Sequence, residues 1–341
     1  MNERVPSVVH LIKTDNRPVA RFLFLNILSI LHNLHPSSIR LHVASPPHGF
    51  FWNLTLRYAP AAKIVVEQIS TPILLDGREP HFRREWEDAH KSDIIRMNVL
   101  KSSGGIYMDT DVLVLRSFDP LRRYDFTMGL QTSTKMCNGV LLAHPRSAFL
   151  AAWHARMAEA NFTTCWDCHS IELPSRIWAE QKARVATNAS AAASPAPDVP
   201  NILPLEAFYD PSFSRSDLHE LFREQALKKR LVPPYEGKFA AHLWNRVWVA
   251  TKVTIHQTRT STLVLLCAPS QPVLRLPLPP FHHSSFHPSP VPLQPPPRRC
   301  VRLHLHVQRD AALRAPRLHL PAGPVPLTRL SPCLPSAGVC N

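Results

Sequence analysis

Long hydrophobic runs are missing from this chain of 341 residues. The apolar stretch Phe22 to Leu34 falls short of the ~20 residues that a bilayer-spanning helix needs. It also contains Asn26, His32 and Asn33. No transmembrane segment is expected in this chain, and no targeting segment is visible ahead of the first apolar run, Val5 to Ile12. A dense Lys/Arg stripe with interleaved aromatic residues is missing as well, although the formal net charge is +14. Residues 258–341 hold nine Arg, one Asp (Asp310) and neither Lys nor Glu, a net of +8 that leaves +6 for the other 257 residues. So mild an excess gives no nucleic-acid surface, and no nucleic-acid partner is expected.

The same terminal stretch lacks Ile, Met, Tyr and Trp and holds 17 of the 35 prolines. Proline at that density removes backbone donors and blocks helix interiors and central strands. The expected organisation is therefore a folded domain over residues 1–257 and a Pro/Arg-rich low-complexity tail over 258–341. That tail is read as disordered, as a Pro-rich docking segment or as a non-homologous end. Cysteine is sparse before it. Cys165 and Cys168 form a lone C-x-x-C without the second pair of a zinc ribbon, which leaves a loop with incidental or disulfide-bonded cysteines as the plainer account. N-x-S/T sequons at Asn53, Asn161 and Asn188 lean slightly toward a secretory route.

What is present is an alternation of strand-like and helix-like segments. Ser7–Lys13 reads as a strand and Ala20–Leu34 as a helix, with Phe22, Leu25, Leu28 and Leu31 as its buried face. Arg40–Ser45 reads as a strand, Phe51–Ala59 as a helix, Lys63–Gln68 as a strand and His90–Ser102 as a polar helix. Gly104 and Gly105 can take the positive φ of a helix stop and tight turn. Ile106–Asp109 and Val112–Leu115 follow as extended pieces. This alternation predicts an α/β fold with a mixed, mostly parallel sheet, in which ligands bind beyond the carboxyl ends of the strands.

The segment Ile106-Tyr107-Met108-Asp109-Thr110-Asp111 places two carboxylates at such an end. Where the chain turns, both can converge on a hard divalent cation such as Mn²⁺ or Mg²⁺, which shares its remaining positions with phosphate oxygens and water. Alone, a D-x-D is as well explained by a strand end with solvated acids. Upstream, Asp93 and Arg96 are three apart and share a helix face. A carboxylate and a guanidinium there suit sugar hydroxyls and a phosphate or ribose; the plain alternative is a surface ion pair worth under about 1 kcal/mol.

Taken together, Ser92-Asp93-Ile94-Ile95-Arg96, Gly104-Gly105 and Ile106 to Val112 resemble the D-x-D sugar-binding region of glycosyltransferase family 32. That family includes α-1,4-galactosyltransferases and α-1,4-N-acetylglucosaminyltransferases. Val114 to Leu121, Asn138-Gly139-Val140-Leu141, Leu203 to Tyr209 and Ala241 to Asn245 follow in the family's order, so the resemblance covers about Val5 to Trp248. It implies a GT-A, Rossmann-like nucleotide-sugar-binding fold. It also implies a nucleotide-sugar donor, a UDP-sugar by preference, a glycan or glycolipid acceptor, and a Mn²⁺ or Mg²⁺ cofactor. By the same resemblance, Asp109, Asp111 and His242 would bind the metal, and Asp109, Asp111 and Arg96 would carry catalysis. Ser92, Asp93, Arg96, Gly104, Gly105, Tyr107, Asn138 and Trp244 would form the substrate site. For Tyr107 a core aromatic, for Asn138 a plain turn residue and for His242 a structural histidine are the alternatives.

Relatives of this kind retain anomeric configuration and reside in the Golgi or the membrane-associated secretory pathway. No nucleophilic carboxylate stands out here, since Asp167, Glu172 and Glu206 fall in irregular segments; a front-face reaction needs none. The family's N-terminal anchor and its closing segment after Trp248 are not found in this sequence. Two other functions fit some of the same residues: an inactive nucleotide-sugar-binding module, and a glycoside hydrolase. The second needs its carboxyl groups on opposite sides of a cleft, about 5 to 9.5 Å apart, which adjacent Asp109 and Asp111 suit poorly.

Overall fold

The computed structural model describes residues 4–188, 199–214, 216–217 and 237–245. The tail from 258 lies outside the described residues, as does Trp248. Among the described residues, fourteen helices and strands carry the fold. In chain order they are β1 (Val8–Lys13), α1 (Arg21–Asn33), β2 (Ser38–Val43), α2 (Phe50–Tyr58), β3 (Ile64–Gln68), α3 (Glu87–Ser103), β4 (Gly105–Met108) and β5 (Val112–Val114). After them come β6 (Phe126–Leu130), β7 (Met136–Ala143), α4 (Ala148–Ala158), α5 (Leu173–Asn188), β8 (Asn201–Leu203) and β9 (Ala240–His242). The elements expected from the sequence up to Leu115 are all present, with ends shifted by up to three residues.

Seven strands form one sheet in the order β3-β2-β1-β4-β7-β6-β8. Every neighbouring pair is parallel except those involving β7, which runs against both β4 and β6. The α/β class with a mixed, mostly parallel sheet is borne out. The chain builds outward from β1 to β3, then returns to β4 on the other side of β1. That reversal opens a crevice at the carboxyl ends of β1 and β4, where open α/β sheets bind ligands.

Side chains along each strand alternate between two cores. Val9, Leu11, Ile106, Met108, Val140 and Leu142 face one layer with α1, whereas Ile12, Tyr107, Leu141 and Ala143 face the other with α3 and α4. The expected buried face of α1 needs correction. Residues 23–30 of this helix are all buried, and its core-facing line is Leu23, Ile27 and Ile30; Phe22 and Leu31 are only half-buried. Leu25 and Leu28 turn toward α2 with Phe24, which is why apolar residues occur on more than one side of the helix.

Helix α3 begins with Glu87 and Asp88, whose charges suit its N-terminal dipole, and stops at Gly104, with φ 63°. Gly105 follows at φ 114°, and a Cβ there would lie 2.7 Å from the Val8 carbonyl oxygen. The helix-to-strand turn therefore demands glycine. A separate two-stranded sheet pairs β5 with β9, setting Val112 opposite His242 across a long stretch of sequence.

Asn138 to Leu141, expected as a turn, lies inside β7. The pairing with β6 jumps from Met128↔Leu141 to Gly129↔Cys137, so Asn138, Gly139 and Val140 bulge out of that ladder. Bulges of this kind re-aim backbone and side chains beside sites.

Candidate functional site

The carboxylates stand where β4 ends. The backbone N–H of Asp109 donates to Gly139 O at 2.8 Å, extending the ladder by one residue, and Val112 N–H turns back to Asp109 O at 3.2 Å. The turn is clamped from behind by α1: Asn26 Nδ2 donates to Asp109 O at 3.2 Å and to Val112 O at 2.7 Å. From the other side, the backbone leaving β9 closes over Asp111. Leu243 N–H donates to Asp111 O at 2.9 Å, and Asn245 N–H to Asp111 Oδ2 at 2.7 Å.

These contacts bring His242 between the two acids. Its Nε2 lies 3.3 Å from Asp109 Oδ2 and 3.6 Å from Asp111 Oδ1. Ligand atoms of Asp109, Asp111 and His242 all fall within 4.8 Å of one another, a spacing that can hold one cation. Both Asp109 and Asp111 are only 6% exposed and His242 is fully buried. Burial opposes a charge on the imidazole, but Asp111 and Asp109 outweigh it and raise its pKa. Two carboxylates and an imidazole around one point form a donor set fit for a divalent cation. Room for this cluster comes from Gly139, where a Cβ would stand 2.9 Å from Asp109 Oδ2 and 3.1 Å from the His242 ring.

Asp109 is oriented by two further groups. Tyr107 O–H donates to Asp109 Oδ1 at 2.5 Å, and Arg96 Nη1 lies 3.3 Å from the same oxygen. Burial first, and the adjacent Asp109 charge, raise the Tyr107 pKa well above its usual value, so the phenol remains a donor. Arg96 stacks 4.4 Å over the Tyr107 ring, donates to Asn138 O at 2.9 Å and pairs with Asp93 at 3.1 Å. Burial works against its charge, yet Tyr107, Asp109 and Asp93 hold its pKa above the ordinary arginine value.

A cleft of about 290 Å³ opens above these residues. Tyr107, Asp109, Thr110 and Asp111 line one wall, and Asp88, Ala89 and Ser92 of α3 another. Lys13, Asp15 and Arg17, at the carboxyl end of β1 and just beyond it, line the third. Asp15 holds both cations, Lys13 at 2.6 Å and Arg17 at 2.5 Å, keeping two positive groups over the cleft.

Of the residues expected at the site, Ser92, Tyr107, Asp109 and Asp111 line this cleft, and His242 lies directly beneath. Others are placed elsewhere. Arg96 and Asp93 are buried behind Asp109, at 0% and 1% exposure. They are neither a surface ion pair nor groups lining the cleft; they brace the acid from within. Asn138 is buried with them, its Nδ2 donating to Asp93 Oδ1 at 2.8 Å. Gly104 and Gly105 sit at the opposite end of β4 from the carboxylates, so their role is in the backbone turn, not against a ligand. Trp244 is also buried, at φ 52°, donating from Nε1 to Pro211 O at 2.7 Å; its ring lies 4.2 Å from that of His242, which it supports. Cys165 and Cys168 are joined as a disulfide, so the C-x-x-C offers no thiolate pair to a metal.

Sequence reasoning missed Lys13, Asp15, Arg17, Asn26, Gly139 and Asn245. Only the first group carried a signal, since the strand-end rule that selected Asp109 applies equally to the end of β1.

Residues 52–127, from α2 to the start of β6, match the family model described as glycosyltransferase sugar-binding region containing DXD motif. The acidic strand end, Asp109 to Asp111, lies inside the matched region. A curated relative, Glucan organizing enzyme 1 of Cryptococcus neoformans var. grubii serotype A, is 31% identical over 175 residues, covering 48% of this chain and 44% of the relative. The chain thus spans less than half of that relative's length. Among solved structures, PaToxG glycosyltransferase overlaps 55% of this chain and 74% of its own, at 14% identity and a TM-score of 0.41. The galactosyltransferase LgtC, in complex with donor and acceptor sugar analogs, overlaps 69% of this chain and 86% of its own, at 13% identity and a TM-score of 0.34.

Proposed function

We propose that residues 1–257 form a GT-A-type, metal-dependent glycosyltransferase domain that transfers a hexose or N-acetylhexosamine from a nucleotide-sugar, a UDP-sugar by preference, to a glycan or glycolipid acceptor. The observation that carries this reading is the convergence of Asp109, Asp111 and His242 at the floor of a cleft, inside and beside the DXD region. Those side chains would hold the cation. A carboxylate-rich set with one imidazole favours Mn²⁺ over Mg²⁺, which prefers all-oxygen surroundings. When bound, the ion would supply Lewis-acid neutralisation of charge on a diphosphate leaving group.

The chain's own residues then do the positioning. Tyr107 and Arg96 fix the rotation of Asp109; Asn245 N–H fixes that of Asp111, whose backbone carbonyl Leu243 N–H holds. Lys13 and Arg17 present positive charge to the same cleft, suited to a phosphate or nucleotide anion. Asp167, Glu172 and Glu206 do not line the cleft; of the acids outside the candidate metal cluster that do, Asp15 is tied to Lys13 and Arg17, and Asp88 stands in the first turn of α3. We take a front-face, retaining reaction resting on orientation and electrostatics as the reading that asks no nucleophile of either. A covalent glycosyl-enzyme adduct trapped in mass spectrometry would refute it. The Cys165–Cys168 disulfide supports an oxidising location of the Golgi or secretory type, and among the described residues no helix is long and apolar enough to cross a membrane.

Donor hydrolysis by the whole chain with Mn²⁺, over UDP-Gal, UDP-GlcNAc, UDP-Glc and GDP-Man, tests this function. One donor should turn over, chelation should stop it, and Asp111→Asn should reduce it to background with the fold intact. Binding of UDP with Mn²⁺ but no turnover of any donor, with or without acceptor glycans, would point instead to an inactive binding module.

A further inference from the structure

The buried carboxylate of Asp93 has one partner that no role described so far uses. Its Oδ1 accepts from Asn138 Nδ2 at 2.8 Å and lies 3.1 Å from Arg96, while its Oδ2 lies 3.0 Å from His169 Nε2. Arg96 in turn reaches Asp109 at 3.3 Å. His169 is thereby connected, through Asp93 and Arg96, to a carboxylate of the candidate metal cluster, and each member of that chain is buried.

The surroundings of His169 are poor ones for a histidine that serves packing alone. Its ring is enclosed by Phe162 at 4.3 Å and His90 at 4.4 Å between centroids. Asp93 Oδ2 faces Nε2 as an acceptor, which places a ring proton there; the other ring nitrogen is Nδ1. That Nδ1 is buried and finds no hydrogen-bond partner among the described residues. An apolar side chain would fill this space without stranding a polar atom, so the bond to Asp93 is what the imidazole supplies.

The loop that delivers His169 is tied down on several sides. Cys168, its neighbour, is disulfide-bonded to Cys165. Between them, Trp166 lies edge-on to Trp86 at 6.2 Å, and its carbonyl oxygen is 3.2 Å from His90 Nε2 of α3. Trp153 of α4 donates from Nε1 to His169 O at 2.8 Å.

We propose that His169 is a positioning residue for the Asp109–Asp111–His242 cluster, acting through Asp93 and Arg96 and held in place by the Cys165–Cys168 disulfide. The inference rests on the reading of that cluster as a divalent-cation site. Without His169, Asp93 Oδ2 loses its donor and the Asp93 carboxylate turns further toward Arg96, drawing the guanidinium away from Asp109. Loss of a partner bonded directly to a ligand weakens metal affinity by roughly 10- to 100-fold, and a loss passed on through Asp93 and Arg96 falls at the lower end of that range.

Mn²⁺ titration of the whole chain, read by the paramagnetic resonance of free Mn²⁺ beside the thermal midpoint, tests it. His169→Leu, which suits the apolar pocket, should bind Mn²⁺ about tenfold more weakly. His169→Gln, whose amide can donate to Asp93, should recover most of the loss. Opening the Cys165–Cys168 bond alone, with Cys165→Ser/Cys168→Ser, should weaken binding in the same direction. Wild-type affinity in folded His169→Leu, even with a lowered midpoint, would make the role purely structural and overturn the proposal; so would a Gln variant no better than Leu. If neither His169 variant folds, Cys165→Ser/Cys168→Ser decides, and unchanged affinity overturns the proposal. A wild-type chain that binds no Mn²⁺ sinks the metal reading itself, before any variant is compared.

Discussion

Single side chains at this site act by where they hold one another. Asp109 keeps its orientation because Tyr107 donates to one oxygen while His242 meets the other. Removing the hydroxyl with Tyr107→Phe keeps the ring under Arg96 but frees Asp109 to rotate. Mn²⁺ affinity should fall about tenfold, with about 1 kcal/mol of stability lost. A metal titration and a urea melt measure the two effects separately, and unchanged affinity would remove Tyr107 from the site. Residue identity alone showed that Asp109 and Asp111 were candidates. It could not show that Arg96 and Asp93 face inward, because a helix pattern gives a shared face without saying what that face meets.

Among the elements, α1 has the least expected role. Its polar residues Asn26, Ser29 and Asn33 all bond to the chain at or beside β5, at Asp109 O, Val112 O, Val114 N and Val114 O. A helix thus satisfies with side chains the backbone edge of a strand whose other edge pairs with β9. In the sequence Asn26 and Asn33 only argued against a membrane span, and Ser29 drew no notice. Asn26→Leu should strand the buried carbonyls of the D-x-D turn and cost about 1–3 kcal/mol. Denaturant unfolding checks the cost, and Mn²⁺ titration should show weaker binding through the loosened turn; a variant as stable as wild type would deny α1 this clamping role. The bulge in β7 belongs to the same scale. Asn138-Gly139-Val140 reads locally as a turn because Asn and Gly favour turns, but here the departure from the ladder frees Asn138 O for Arg96 and Gly139 O for Asp109.

Across the whole molecule, several histidines are buried where a positive charge is unwelcome. His10 is held at a pKa of about 4, by burial first and then by His42, whose ring stacks on it at 5.3 Å; Gly104 O, its partner at 3.0 Å, offsets part of this. His42, His90 and His154 are also lowered, each mainly by burial. A lowered folded pKa means the unfolded chain takes up protons first. The stability these groups contribute is therefore complete above their unfolded value near 6.5, falls as the pH drops below it, and is lost once the folded pKa is passed. From pH 7.5 to pH 5, His10 alone should remove about 2 kcal/mol. Urea melts of the wild type and His10→Gln at the two pH values measure this: the variant should show a flatter dependence, and the same dependence in both proteins would refute it.

The sequence by itself determined the order of elements as far as β5, the glycine-dependent turn into β4, and the acidic pair at that strand's end. Periodicity, capping and positive-φ demands act between near neighbours and can be read locally. Beyond Leu115 the strands and helices carried no comparable pattern, since β7 is buried on both faces and so loses the alternation that marks a strand. The resemblance offered His242 as a metal ligand; only the tertiary structure set it against Asp109 and Asp111 and brought the end of β1 to the same cleft. His242 reaches Asp109 across 133 residues because β9 pairs with β5, and Lys13 and Arg17 join the cleft because β1 and β4 are neighbours. Those partners are chosen by sheet pairing at long range, which no local spacing records. The same long-range packing turned Asp93 and Arg96 from a helix-face pair into the buried brace beneath the D-x-D.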